Sequence, residues 1–218
     1  MIETPMQLPF FNQLFTQAIK HKRIIITLFW FGYAVIFFMV LLGVFWVLNN
    51  TQFGLMKIMG DKAGDTAAVL FLVTISPGIA KRLAIKHKSL DLVMVFRRQF
   101  GLLMFSFAFL HYSYVRFLPI ALGKYPIPQV VPTFELMGIL TLYPMVVLAF
   151  TSNNLSVKHL GPWWKRIHSF VYIAVWLLFF HVMLNKIGIL SLLLGVFAVL
   201  EVYSLYYAFQ SKPRTVQP

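Results

Sequence analysis

Six stretches of this chain are apolar for about as long as a helix needs to cross a bilayer, roughly 20 residues each. They cover residues 24–48, 63–79, 99–119, 133–150, 163–184 and 187–209. A backbone crossing hydrocarbon must satisfy its own N–H and C=O groups, so each run is expected as a helix. The fold class is therefore an all-α membrane protein, a bundle of six transmembrane helices. Composition agrees, with 60% hydrophobic and 11% charged residues, where a soluble domain carries about 25% charged. A chain of 218 residues cannot hide that surplus in one core, so lipid must be the solvent for much of it. The second run is the weakest and carries Pro77 near its end. Pro144 inside the fourth is expected to kink it.

Lysine and arginine set the orientation. With the amino terminus in the cytoplasm, 14 of the 19 basic residues fall on that side and 5 on the other. The cytoplasmic set includes Lys20, Lys22, Arg23, Lys81, Arg82, Arg97, Arg98, Lys158, Lys165, Arg166, Lys212 and Arg214. The reading is a multi-pass protein of the bacterial inner membrane with both termini cytoplasmic. Three parts follow: an interfacial or cytoplasmic segment over 1–23, the membrane domain over 24–209, and a tail over 210–218. The net charge of +13 belongs to loops that meet anionic headgroups, so membrane lipid is an expected partner and nucleic acid is not. The amino terminus does not read as a cleaved signal peptide, because its first apolar run is too long. Phe11, Leu14, Phe15, Ala18 and Ile19 recur at helical spacing, which suits a short amphipathic helix in the interface or an extension of the first span. Pro119, Pro126, Pro128 and Pro132 predict a stiff, extended connection after the third span.

No cysteine is present. That excludes a disulfide scaffold, a thiolate iron–sulfur cluster, a covalently attached c-type haem and a thiol nucleophile. Ionisable groups within spans are functional candidates by default, and three of the six histidines lie there. His111 sits on the third span in RRQFGLLMFSFAFLHYSY. His168 and His181 share the fifth, in WWKRIHSFVYIAVWLLFFH. The others, His21, His87 and His159, fall in basic stretches and read as solvated or headgroup-facing. Glu135 and Glu201 lie near span ends, and Arg116 is expected to snorkel to the interface.

Counting from Arg98 and Arg166, His111 and His181 both lie roughly 20 Å from the basic edge. Two neutral imidazoles at one depth suit a bis-histidine haem b between spans three and five. Gly101 and Ala108 share a face with Met104 beside His111, where small residues would admit a macrocycle close to the backbone. Packing of histidine against a neighbouring helix, or a proton or ion pathway, fits the same spacing. His168 lies near the basic edge, some 140° around an ideal helix from His181. It would ligate with another partner or line an inner cofactor site, where Arg97 and Arg98 suit haem propionates or a flavin phosphate.

The segments TISPGIAKR, RRQFGLLMFSFAFLH, LAFTS and LGPWWKRIHSFVY, with the later His181, resemble the ferric-reductase-like transmembrane family over about residues 63–185. Within that family the likeness is to bacterial haem-binding subunits of protein-methionine-sulfoxide reductase systems. The resemblance implies transmembrane electron transfer through one or two haems b, with axial ligands at His111, His168 and His181. It also implies an association with FMN and a periplasmic molybdenum-containing reductase subunit as acceptor. Eukaryotic members carry a second histidine early in the third span, which this chain lacks. They also append a cytosolic flavin and nicotinamide domain. Only a short tail is expected after the sixth span here, so a cytosolic flavin reductase or membrane quinol would supply electrons. The chain would be the electron-transfer subunit, not the catalytic one. A stand-alone reductase of ferric or cupric ions, oxygen or quinone is the alternative. A cofactor-free transporter or a structural subunit are the others.

Overall fold

A computed structural model describes residues 9–211 of the chain. Residues 1–8 of the amino-terminal segment, and residues 212–218 of the tail with Lys212 and Arg214, lie outside the described residues.

Six helical segments in the described residues are long and apolar enough to cross a membrane. The first is α2 (Lys22–Leu48), preceded by the short α1 (Pro9–Lys20). The second is α3 (Phe53–Arg82). A short helix, α4 (Lys88–Val95), leads into the third span, Arg97–Ala121. That span is α5 (Arg97–Tyr112), one π-helical turn (Ser113–Phe117) and α6 (Leu118–Ala121). The fourth is α7 (Thr133–Phe150). The short α8 (Asn154–Leu160) precedes the fifth span, built from α9 (Pro162–His168) and α10 (Val171–Asn185). The sixth is α11 (Ile189–Gln210).

α1 is a helix of its own and not an extension of the first span. Phe11 and Phe15 turn inward at i, i+4 spacing and pack on the α4 region. The Phe11 ring meets His87 edge-on at 4.9 Å, and Lys88 Nζ lies 5.1 Å over the Phe15 ring. Phe10, Leu14 and Ile19 stay exposed. His87 caps α4, its Nδ1 accepting the Ser89 amide at 3.3 Å, so it does structural work beyond facing solvent.

α3 is the central element. It packs along α5 and against α11, while α7 and α11 both flank α10. One buried cluster joins spans two to six through Ala68, Phe71, Ile75, Met104, Met145, Ala174, Val175, Leu194 and Ala198. A second joins spans one to three through Ile36, Val47, Met56, Ala63, Leu110 and Tyr114. α2 buries only Ile36, Gly43 and Val47, and leaves Phe31, Phe38 and Phe45 facing outward. Such an apolar outer face calls for lipid.

Two span boundaries differ from the hydropathy reading. α3 begins ten residues before 63 and runs five beyond Pro77. Its early turns carry Lys57, Asp61, Lys62 and Asp65, and Lys57 pairs with Asp61 at 2.9 Å with i, i+4 spacing. Such a pair supports a helix, yet the charges lower its hydropathy. At 30 residues the helix is about 45 Å long and exceeds the hydrocarbon thickness. The fifth span, read as continuous, is broken at Ser169–Phe170. There Ser169 Oγ donates to Arg166 O at 2.6 Å, a local bond that competes with the helical ladder. The 140° estimate between His168 and His181 assumed an unbroken helix and does not apply.

Candidate functional site

Each of the two mid-span histidines lies against the backbone of a neighbouring helix. His111 Nδ1 is 2.8 Å from Gly60 O on α3. His181 Nδ1 is 2.7 Å from Phe134 O on α7. A carbonyl only accepts, so Nδ1 carries a proton in both rings, and in the neutral imidazole Nε2 then keeps its lone pair. No hydrogen bond engages either Nε2 among the described residues. Glycines open the space. A Cβ at Gly64 would stand 2.9 Å from His111 Nδ1, and one at Gly138 would stand 2.7 Å from His181 Nδ1.

The two imidazoles meet across the bundle with ring centroids 6.2 Å apart and planes at 68°. This arrangement fits a haem. Two imidazoles on opposite sides of one metal, each about 2.0–2.1 Å from it, place their centroids roughly 6.4 Å apart. A metal-bound histidine typically donates its other N–H to a carbonyl or carboxylate, as both do here. Two neutral nitrogens alone are too few donors for a bare ion. Among the described residues no group of three or more His, Asp or Glu gathers to complete such a set. A metal that brings its own macrocycle needs only the two axial nitrogens.

The π-helical turn begins two residues beyond His111. Such turns are frequent at functional sites. Its residues anchor the third span on two sides. Tyr114 donates its hydroxyl to Met39 O on α2. Arg116 Nε pairs with Glu135 Oε1 at 2.5 Å, next to the Phe134 carbonyl that holds His181. Arg116 therefore bridges spans three and four.

His168 occupies a different setting, at the end of the bundle that carries Arg82, Arg97 and Arg98. Its Nε2 is 3.0 Å from Thr151 Oγ1 at the end of α7. Trp164 stacks on the ring at 4.0 Å and donates its indole N–H to Thr151 O at 3.0 Å. The tryptophan pair thus divides: Trp164 turns inward, and Trp163 is exposed under Arg166, whose guanidinium lies 4.7 Å over its ring. Close by, Arg82 on α3 reaches Glu201 Oε2 at 2.6 Å and donates from Nε to Ser204 Oγ at 2.9 Å. Its guanidinium also lies 5.4 Å over the Tyr172 ring. Glu201 is therefore buried and paired, not reaching for water. Arg97 is half-buried and has no ion-pair or hydrogen-bond partner among the described residues. Such a cation suits an anionic group. Arg98 donates to Asn154 Oδ1 at 3.2 Å.

Of the residues singled out from sequence, His111 and His181 come together, while His168, Arg97 and Arg98 gather at the other end. Gly101 lies along α3, where a Cβ would meet Thr74 Cγ2 at 3.8 Å. Ala108 is half-buried on α5. Sequence reasoning missed Gly60, Gly64, Phe134 and Gly138. The Gly60/Gly64 pair at i, i+4 was a readable signal for a close helix approach. Phe134 acts through its backbone and leaves no side-chain signal.

Comparison with known proteins matches residues 63–179 to a family model described as the ferric reductase like transmembrane component. Two curated relatives are protein-methionine-sulfoxide reductase heme-binding subunits, MsrQ, from Brucella species. The one from Brucella ovis is 38% identical and that from Brucella anthropi 37% identical, each over 82 residues. The matched stretch spans 37% of this chain and 37% of each relative. No solved structure matches this chain.

Proposed function

Because this chain belongs to the family of ferric-reductase-like transmembrane components, we propose that it carries electrons across a membrane by way of haem b held between spans three and five. The observation that carries this reading is the pair His111 and His181, with ring centroids 6.2 Å apart, each with Nδ1 engaged and Nε2 free among the described residues. When bound, the haem supplies one-electron exchange at its iron. The chain's own residues do the rest. The Gly60 and Phe134 carbonyls hold the Nδ1 protons, fix the tautomer and keep Nε2 a good donor. The buried cluster around Phe71, Met104 and Met145 keeps water out of the interior.

The arginine-bearing end faces the cytoplasm, in keeping with the positive-inside rule, and the membrane is the bacterial inner membrane. A cytosolic flavin reductase or membrane quinol delivers electrons there. FMN would bring its phosphate to Arg97 and Arg98, and His168 lines that inner site or ligates a second haem. The acceptor is a periplasmic molybdenum-containing reductase subunit; the relatives' name, heme-binding subunit of a protein-methionine-sulfoxide reductase, supports methionine sulfoxide as the group finally reduced.

The test uses purified protein in sealed vesicles, with a flavin reductase and reduced nicotinamide outside and a ferric chelate trapped inside. The expected result is reduction of the trapped iron that requires both His111 and His181. A haem-loaded protein that reduces none of it would contradict electron carriage.

A further inference from the structure

The two histidine settings are the same device built twice. On α3 the carbonyl of residue 60 receives His111 and the glycine lies at 64. On α7 the carbonyl of residue 134 receives His181 and the glycine lies at 138. The spacing is i, i+4 in both. A helical side chain leans toward the amino terminus and covers the turn before its own Cα. A side chain at i+4 therefore shields the carbonyl of residue i from anything approaching sideways. Glycine at i+4 leaves that carbonyl open, and its second lone pair takes a donor from the adjacent helix while the helical bond persists.

The clearances leave no slack. A Cβ at 64 would stand 2.9 Å from Nδ1 and 3.1 Å from Cε1 of His111. A Cβ at 138 would stand 2.7 and 2.8 Å from the same atoms of His181. Real Cβ contacts essentially never fall below 3.0 Å, so a methyl at either position must push the ring off its carbonyl. Neither glycine sits at a positive φ, so backbone freedom does not explain it.

Resting on the haem reading above, we infer that Gly64 and Gly138 are positioning residues that act through the axial histidines: each opens a helix carbonyl that fixes its histidine's Nδ1–H and so aims and strengthens Nε2. A hydrogen bond at Nδ1 raises the basicity of Nε2 and favours the ferric state. Losing it raises the midpoint potential.

The experiment compares Gly64→Ala and Gly138→Ala with the parent by redox titration and absorbance of purified protein. Gly32→Ala serves as the control, because a Cβ there meets only Leu103 Cδ1 at 3.8 Å. The two cradle variants should shift the reduction equilibrium about tenfold toward ferrous, which is about 59 mV for one electron. Gly32→Ala should match the parent. Haem-containing cradle variants with the parent's potential and spectrum would overturn the inference and leave the proposed function standing. A parent without haem would overturn both.

Should a cradle variant fail to accumulate, His181→Gly decides. Imidazole in solution should restore haem to it at a concentration at least tenfold lower than 1-methylimidazole, which has no N–H for the Phe134 carbonyl. Equal restoration by the two would overturn the inference.

Discussion

The bundle holds its histidines in two unlike ways. Midway along it, His111 and His181 are each pinned by one backbone carbonyl, with the other nitrogen free of hydrogen bonds among the described residues and the ring centroids 6.2 Å apart. At the arginine-bearing end, His168 spends its Nε2 on the Thr151 hydroxyl, lies under the Trp164 ring and sits among cations. The first setting holds its two imidazoles by helix carbonyls, with the Arg116–Glu135 ion pair beside one of them. The second is polar, with Arg97 unpartnered among the described residues and a buried Arg82–Glu201 pair. Under the proposed function, helix backbones set the ligand geometry in one, and side-chain charges draw an anionic group to the other. A backbone carbonyl in a helix has no rotamers to lose, whereas a threonine hydroxyl rotates to suit its partner.

The contrast breaks most visibly on removal of a histidine. Changing His111 or His181 to alanine should abolish haem at the mid-bundle site. Its effect on haem affinity should exceed the roughly 10–100-fold that loss of an outer-shell partner costs, as read by haem content per protein. The arginine-bearing end should answer in stability. Glu201→Gln leaves Arg82 without its carboxylate, and loss of one partner of a buried pair costs roughly 3–5 kcal/mol. Replacing both by methionine should recover most of that loss in a thermal melt in detergent. Thr151→Val strips His168 of its hydroxyl partner and should cost about 1 kcal/mol, with the mid-bundle absorbance unmoved. A shifted band in Thr151→Val would show that the two sites are coupled. Least of all, Arg98→Gln should stay within about 0.5 kcal/mol, because its bond to Asn154 is exposed.

Much of this was legible from sequence, and the reasons for the remainder are physical. Apolar run length located all six crossing helices, because lipid imposes that length on any span. Depth counted along the helices paired His111 with His181, because helical rise is nearly constant. The outer turns of α3 escaped detection, since Lys57 and Asp61 lower hydropathy while their i, i+4 pairing sustains the helix. The break at Ser169 rests on a hydroxyl-to-carbonyl bond, which the apolar pattern of the fifth span conceals. Arg82 and Glu201 lie on different helices, 119 positions apart, so only the fold brings them together. The carbonyl of Phe134 has no signature, because any residue there would supply the same oxygen.

The most direct measurement is a reduced-minus-oxidised absorbance spectrum of detergent-purified protein, taken for the parent, His111→Ala, His181→Ala and His168→Ala. The account predicts a sharp b-type alpha band in the parent, lost from the mid-bundle site in both His111→Ala and His181→Ala and present in His168→Ala. A parent colourless when purified from haem-replete cells, or a band that survives unchanged without His111 and His181, would contradict it.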